Sequence, residues 1–424
     1  MSNTDFQKGA SWRMTILLAF FMLINFLDKI VMGLVAVPMM NELKITPTEF
    51  GMIGGSFFWL FAIAGILGGF LADRINAKWM IAAMAAAWAL IQLPIVFTTS
   101  IATIMAVRVV LGAAEGPAWP VAVHALYKWF PNEKRTLPIS ILGQGSGIGL
   151  LLAGIIIPFV TATWGWRANF LVLGLVGLIW LLLWTAFGKE GNLSESATQT
   201  AKKNVSYGRL FSDKTLLACM FAHFASYWSL AITLTWIPAY MEKGLGFDSL
   251  SAGHIFSACV AINLVFGLGT GWLSQRLMLA RLPSRTARGV LTAGALLISA
   301  VCYVSMLTPD MSPFVRIVLL GIGAGLSQAI YYTGPAIIGE ITPTTQRGAI
   351  LAIDNSVASI AGIIAPVVMG YLIQYSAGGA AAGYQNGFAV TGAFLAIAGV
   401  IAWAFLDPGT SARRNLGAAV PAAE

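Results

Sequence analysis

Four ionisable side chains stand out because they lie inside segments that are otherwise apolar. Asp28 and Lys29 are adjacent near the centre of "FFMLINFLDKIVMGLVAVPMM" (20–40), and Arg108 and Glu115 lie in "RVVLGAAEGPAWP" (108–120). Charges at mid-membrane depth are costly and mark pathways for protons, ions or substrates. The chemistry open to two acids and two bases in such a place is anion binding and proton transfer.

The spacing of these residues predicts how helices would present them. Asp28 and Lys29 would point about 100° apart on a helix, so they cannot pair well with each other. Arg108 and Glu115 would share one helix face, about 10.5 Å apart along the axis. A cavity between the first and fourth predicted spans is therefore expected to hold all four.

The hypothesis is that Lys29 holds a substrate carboxylate, with help from Arg108, while Asp28 and Glu115 accept the coupled protons. An anion arriving beside Lys29 would release a carboxylate from its salt bridge and let that carboxylate take up a proton. The alternative is a charge network that only holds helices together.

Composition places the chain in a membrane. Of its 424 residues, 58% are hydrophobic and 10% are charged, with a mean hydropathy of +0.80. A soluble protein carries about 25% charged residues, so a polytopic protein with helical spans is expected. The net charge of +8 lies in loops rather than on one basic face, which argues against a nucleic-acid partner. The three cysteines are interpreted as core residues.

Apolar runs predict twelve spans, since about 20 residues cross a bilayer. They lie at 14–40, 49–72, 79–98, 101–128, 136–162, 166–187, 213–240, 250–275, 286–308, 313–340, 346–376 and 384–407. The predicted domains are a six-helix bundle at 1–187, a cytoplasmic loop at 188–212, a six-helix bundle at 213–408 and a disordered cytoplasmic tail at 409–424. The polar start runs into a full-length span without an A-x-A-like site, so an uncleaved first helix is expected.

Lysine and arginine are concentrated on one side of the predicted spans, which places both termini and the central loop in the cytoplasm. The opposite loops hold only Lys44, Arg167 and Lys243. Localisation in a bacterial cytoplasmic membrane follows as an expectation.

The two halves of the chain resemble each other. "AGIIIP" (153–158) recurs as "AGIIAP" (361–366), "GGFLADR" (68–74) is echoed by "TGWLSQR" (270–276), and "FPNEKR" (130–135) by "TPTTQR" (342–347). The matches follow in order at nearly one separation. Parallel repeats of six helices with a central site are the architecture of one large transporter class. The fold class expected is an all-α membrane protein with two six-helix bundles related by a pseudo-two-fold axis.

The chain resembles the major facilitator superfamily along essentially its whole length. The most specific segment, "GGFLADRINAK" (68–78), is similar to the superfamily's loop motif, with Asn76 and Ala77 departing from the usual Gly and Arg. The resemblance implies a cytoplasmic latch, in which a glycine allows close helix approach and charged residues lock one state. The residues at the motif positions are Gly69, Asp73, Arg74 and Lys78.

Within the superfamily, the chain resembles the anion:cation symporters, which move organic anions such as sugar acids. The similar segments are "NFLDK" (25–29), "RVVLGAAEGPAWP" (108–120), "WFPNEKR" (129–135) and "DNSVASIAGIIAP" (354–366). The group usually has Tyr and Arg where this chain has Phe26 and Lys29, and its sugar-acid carriers often have Tyr at the position of Phe61. Lysine lacks the bidentate fork of arginine, and two hydroxyls are missing. An aromatic or short carboxylate is therefore favoured over an aldonate.

Several further polar residues are candidates for the substrate site. The resemblance implies roles for Gln144, within the helix-packing glycines of "GQGSGIG" (143–149), and for Asn355. Tyr332 is a weaker candidate, because it and its neighbour Tyr331 could equally pack. Asp354 is either a third proton site or a residue near the cytoplasmic end. The three histidines are uninformative.

The predicted function is a proton-coupled symporter that imports a small organic carboxylate by alternating access, either a sugar acid or an aromatic or short acid. The alternatives are a facilitator, antiporter or exporter of organic anions, and a receptor on the same scaffold. No cofactor, metal site or enzymatic activity is expected. The expected partners are the anion, protons and the lipid bilayer, with the chain as a monomer.

Overall fold

The computed structural model describes residues 8–72, 74–130, 134, 136–191 and 205–417. Within these ranges twelve helices are long and apolar enough to cross a membrane, which confirms the predicted number. Numbered as spans 1 to 12, they are Gly9–Leu34, Pro47–Gly69, Ala77–Phe97, Ile101–Tyr127, Leu137–Trp164, Ala168–Phe187, Lys214–Thr235, Ser249–Leu279, Arg285–Leu307, Pro313–Ile341, Thr345–Tyr375 and Gly379–Phe405. Shorter helices lie at Ala36–Leu43, Tyr207–Leu210, Ile237–Ala239, Tyr240–Gly244 and Pro408–Leu416.

The chain divides into two compact units that differ from the predicted bundles. The first unit comprises Met1–Thr198 and Leu234–Ser257, and the second comprises Gln199–Thr233 and Ala258–Glu424. Residues 234–257 join the first unit because the Trp236 ring lies 5.2 Å from that of Phe50 and Ser257 Oγ donates to the Leu151 carbonyl at 2.7 Å. A repeat pattern assigns whole helices to halves, so it could not show these contacts.

Spans 2 and 4 of the first unit are interrupted and lie against each other. Their helical pieces are Pro47–Ser56 and Phe61–Ala72 in span 2, and Ile101–Glu115 and Ala118–Tyr127 in span 4. The break in span 4 falls at Gly116 and Pro117, because proline cannot continue the backbone hydrogen-bond ladder. A Cβ on Gly112 would overlap the Phe57 carbonyl oxygen. Only glycine permits this approach, which sets Glu115 close to span 2.

We expect Gly112→Ala to lower the thermal unfolding midpoint of the purified protein, because the added methyl must push span 2 away from span 4. Overpacking of this kind costs about 1–3 kcal/mol. The matched control is Gly294→Ala in span 9, where a Cβ would meet no described atom within 4 Å. Equal midpoints for the two variants, measured by tryptophan fluorescence, would contradict the close approach.

The glycine-rich segment 143–149 lies inside one long helix, Thr136–Trp164, as predicted. A Cβ on Gly145 or Gly149 would overlap the carbonyl oxygens of Ala19 or Leu23 in span 1. These glycines therefore let span 5 pack closely on span 1.

The prediction of a disordered tail from residue 409 is wrong over Pro408–Leu416, which is a helix. Asp407 caps its start by accepting a hydrogen bond from the Thr410 backbone N–H at 3.1 Å. Asp213 holds its side, accepting from Ser411 Oγ at 2.9 Å and from Asn415 Nδ2 at 3.3 Å. The Asp-Pro start is a helix signal that a composition-based reading overlooked.

Candidate functional site

The four charged residues singled out in the sequence meet inside the first unit. Asp28 and Lys29 come from span 1, and Arg108 and Glu115 from the first helix of span 4. Asp28, Arg108 and Glu115 are at most 3% exposed, whereas the Lys29 side chain is 11% exposed. These four residues and Asn25, which is fully buried, are termed the charge cluster.

Lys29 is paired with Glu115, and Asn25 bridges them. Lys29 Nζ donates to Asn25 Oδ1 at 2.7 Å, and Asn25 Nδ2 donates to Glu115 Oε2 at 2.8 Å. Lys29 Nζ itself lies 3.9 Å from Glu115 Oε2. Asn25 and Lys29 are four residues apart on span 1, so they share a helix face. The ammonium thus contacts Glu115 directly, at ion-pair distance, and also indirectly through the two hydrogen bonds of the Asn25 amide.

Asp28 has different neighbours. Gln92 Nε2 of span 3 donates to Asp28 Oδ1 at 3.3 Å and to the Trp88 carbonyl at 3.1 Å. Arg108 Nη1 donates to the backbone carbonyl of Asp28 at 3.4 Å. Sequence analysis missed Gln92. Its signal was a single amide in an apolar predicted span.

Aromatic rings line the cationic side of the charge cluster. Lys29 Nζ lies 4.5 Å from the centre of the Phe26 ring and 5.1 Å from that of Phe61, and the Arg108 guanidinium lies 4.6 Å from that of Phe57. These distances are within the range of cation–π attraction. Phe57 and Phe61 lie at the break of span 2, and Glu115 ends the first helix of span 4. The backbones meet there, because Gly112 and Gly116 lie against the carbonyls of Phe57 and Phe61.

Polar atoms of the charge cluster and of Gln92 make no hydrogen bond to the described protein. They are Asp28 Oδ2, Gln92 Oε1, Arg108 Nε and Glu115 Oε1. Arg316 of span 10 is a contrasting case, because its guanidinium donates to the carbonyls of Met306, Thr308 and Met311 at 2.8–3.1 Å. Every guanidinium nitrogen of Arg316 donates a hydrogen bond, as expected of a structural cation. The charge cluster instead has bonding capacity for a proton or a ligand.

The other predicted site residues lie apart from these bonds. Gln144 is half-buried in span 5 and makes no hydrogen bond to the charge cluster among the described residues. Tyr332 of span 10 is 38% exposed, and Asn355 of span 11 is exposed; both belong to the second unit. In the described part of the chain, no three His, Cys, Asp or Glu side chains are grouped as a metal site would require.

The predicted cytoplasmic motif is organised around a residue that sequence analysis missed, Glu190. It accepts hydrogen bonds from the Lys78 backbone N–H at 3.0 Å and from Lys128 Nζ at 2.5 Å. Lys78 Nζ donates to the Thr185 carbonyl at 3.3 Å. Arg74 is exposed, and Asp73 lies outside the described residues.

Among the described residues, the glycine of this motif that lies at a close helix approach is Gly68, whereas the resemblance assigned that role to Gly69. A Cβ on Gly69 would meet no described atom within 4 Å, whereas one on the preceding Gly68 would overlap the ring of Pro117. Two adjacent glycines point in different directions on a helix, and the motif pattern alone does not say which one faces span 4.

The chain is similar in sequence and in structure to known membrane transporters. The model of the Major Facilitator Superfamily matches residues 17–334 and 287–423. The chain is 28% identical to the probable sulfoacetate transporter of Cupriavidus necator, with 91% of each chain covered. It is 26% identical to the hexuronate transporter of Bacillus subtilis, with 90% of each covered. A crystal structure of a bacterial homolog of the human lysosomal transporter Spinster matches with a TM-score of 0.77 at 17% identity, covering 98% of this chain and 99% of that one.

The structural match shows that the chain has the major facilitator fold, as predicted. Both relatives are named as transporters, which agrees with a chain that is a transporter and not an enzyme. The family match extends over nearly the whole chain. The chain belongs to the Major Facilitator Superfamily.

Proposed function

We propose that the chain is a proton-coupled symporter that imports a small organic anion across the bacterial cytoplasmic membrane by alternating access. The charge cluster supplies a cation for the anion and acids for the proton. Relatives named for sulfoacetate and hexuronate support an anionic cargo. The excess of Lys and Arg on one side of the spans supports cytoplasmic termini, and the proposed transport unit is a monomer.

The observation that carries the proposal is the contact of Lys29 with Glu115. Lys29 is the partly accessible member of the pair, with 11% of its side chain exposed against 0% for Glu115. An arriving anion therefore meets the ammonium and not the carboxylate. The ammonium is 3.9 Å from Glu115 Oε2 and hydrogen-bonds to the neutral Asn25 amide, so an anion competes for it with a long ion pair rather than with a direct hydrogen bond to Glu115.

Coupling follows from the cost of an unpaired buried charge. When the anion takes over Lys29, the fully buried Glu115 loses its ion pair and keeps only the neutral Asn25 amide. A buried carboxylate whose cation has been withdrawn is strongly disfavoured. Glu115 then takes up a proton. When the anion leaves, Lys29 returns to Glu115 and the proton is expelled, so the anion and the proton bind and leave together.

Asp28 supplies a second acid for the same cycle. One of its carboxylate oxygens makes no hydrogen bond to the described residues, and Arg108 contacts its backbone. A monoanion carried with one proton is electroneutral. With a second proton on Asp28, each cycle gains about 2.3 kcal/mol per 100 mV of membrane potential.

The lining favours an anion with few hydroxyl groups. The two rings within about 5 Å of Lys29 are Phe26 and Phe61, which offer no hydrogen-bond partner to a polyol. An aromatic or short carboxylate fits this surface. Sulfoacetate, a short acid without hydroxyl groups, belongs to the same class.

Uptake into proteoliposomes tests the proposal. The purified chain is reconstituted, an inward proton gradient is imposed, and labelled sulfoacetate, benzoate, D-glucuronate and D-galactonate are supplied in turn. Accumulation of at least one anion above equilibrium, abolished by a protonophore, is the expected result. Downhill flux alone would identify a facilitator, anion efflux driven by proton entry would identify an antiporter, and no flux of any anion would contradict transport of this class.

We expect Phe26→Tyr and Phe61→Tyr to shift preference towards hydroxylated acids. A new hydroxyl near Lys29 can form one hydrogen bond with a polyol, which contributes about 0.5–1.5 kcal/mol, or roughly 2–10-fold. The ratio of kcat/KM for D-glucuronate over benzoate should rise by that factor. Phe20→Tyr is the control, because Phe20 lies on the same helix but is 52% exposed on its outer surface. An unchanged ratio in both site variants would place the substrate elsewhere.

A further inference from the structure

A second pair of ionisable side chains lies buried in the second unit, apart from the charge cluster. One of its members is Asp354, for which the sequence left open a third proton site and a place near the cytoplasmic end. His223 Nδ1 of span 7 lies 2.7 Å from Asp354 Oδ2 of span 11. His223 is 8% exposed and Asp354 is 4% exposed. The two residues are 131 positions apart in the chain, so only the fold reveals them as a pair.

Other titratable side chains surround the pair. Tyr331 of span 10 lies edge-on, with its ring centre 4.8 Å from that of the imidazole, and the Tyr227 ring lies 6.3 Å away. Cys219 and Tyr331 also interact electrostatically with Asp354. Among the described residues, the basic group in an ion pair with Asp354 is His223. The groups that face the pair are thus a thiol and two phenols, all neutral when protonated.

Three buried polar atoms of this pair and its surroundings have no hydrogen-bond partner among the described residues. His223 Nε2, Asp354 Oδ1 and the Tyr331 hydroxyl make no hydrogen bond to the described residues. Elsewhere in the same unit, the hydroxyls of Thr292 and Thr333 join spans 9 and 10 at 2.7 Å with neutral groups. Holding two helices together therefore does not require an imidazole and a carboxylate, whose burial is far more costly.

We propose that His223 and Asp354 form a proton-binding site of the second unit. With a neutral imidazole donating from Nδ1 to the carboxylate, the pair carries one negative charge. A proton added at Nε2 gives an imidazolium–carboxylate pair with no net charge. Imidazole is the side chain that changes its charge between about pH 5 and 8. This site would bind a proton in the second unit independently of the transported anion and of the proposed coupling role of Glu115.

Histidine NMR tests this directly, because the chain contains only three histidines. The full-length protein is labelled with ¹³C,¹⁵N-histidine in detergent, and the signals are assigned with His124→Gln and His254→Gln. We expect the His223 signals to show gain of one proton across the range of about pH 5 to 8. In Asp354→Asn, whose side chain has the same shape, the midpoint should move by about one pH unit or more, because an opposite charge has been removed.

Two references make the result decisive. The signal of the exposed His254 is the internal reference in wild type, Asp354→Asn and Asp310→Asn, and its chemical shifts should agree among these three proteins. Asp310→Asn makes the same chemical change in an exposed loop. A His223 signal that keeps one protonation state across the range, or a midpoint that Asp354→Asn leaves unchanged, would overturn the proposal. If Asp354→Asn does not fold, the wild-type titration alone decides, and a constant His223 signal overturns the proposal.

Discussion

Proteoliposomes that contain Glu115→Gln protein should exchange internal for external anion but should not accumulate it under an inward proton gradient. Glutamine keeps the shape of the side chain and can still interact with Asn25, but it cannot take up a proton. Lys29 then meets the anion without a competing carboxylate, so binding persists while coupling is lost. Accumulation should fall to the equilibrium level, whereas counterflow should stay within a few-fold of wild type.

If both acids carry protons, Asp28→Asn should also retain anion exchange and lose proton-driven accumulation. Asp310→Asn is the matched control, because Asp310 lies in an exposed loop and asparagine tolerates its positive φ of 56°. Full proton-driven accumulation by Glu115→Gln would show that the carboxylate beside Lys29 only stabilises the fold. If Asp28→Asn accumulates the anion but Glu115→Gln does not, a single proton is coupled to transport, and Glu115 carries it.

Lys29→Gln should weaken anion binding by about 30-fold or more. Truncating one partner of a buried charge pair costs about 2–5 kcal/mol, and about 1.4 kcal/mol corresponds to tenfold in Kd. The variant removes the partly exposed cation and leaves Glu115 without its ion pair. Binding of the anion that wild type accumulates is measured on the purified protein by isothermal titration calorimetry.

Lys29→Arg and Lys189→Gln complete that measurement. Arginine retains the charge and adds a bidentate fork for carboxylates. The Kd of Lys29→Arg for the anion should therefore stay within about tenfold of that of wild type. Lys189 is an exposed lysine after span 6, and Lys189→Gln should not change Kd. An unaltered Kd in Lys29→Gln would move the anion site away from the charge cluster.

The sequence was sufficient to predict the number of spans and the four charged residues of the charge cluster, but not the part played by Asn25. Hydropathy defined twelve helices, and helical spacing placed Arg108 and Glu115 on one face. It could not predict that Lys29 turns to Glu115 through Asn25, or that Asp28 meets Gln92 of span 3. Those choices depend on how each helix is rotated about its axis, which is set by packing between helices.

Contacts between distant residues were the least predictable features. His223 and Asp354 could not be paired from the sequence, because nothing in the spacing of two separate apolar segments links them. The close approach at Gly68 rather than Gly69 depends on the position of Pro117 in another span. The C-terminal helix Pro408–Leu416 has a local start signal in Asp407 and Pro408, but its contact with Asp213, far away in the chain, could not be predicted.

The central claim is that anion and proton move together through the charge cluster. Wild-type proteoliposomes loaded with a pH-sensitive dye, with equal pH on both sides, test it most directly when an inward gradient of the transported anion is imposed. The account predicts that the lumen becomes acidic as the anion enters, at a rate proportional to anion flux. Anion entry without a change in luminal pH would contradict it.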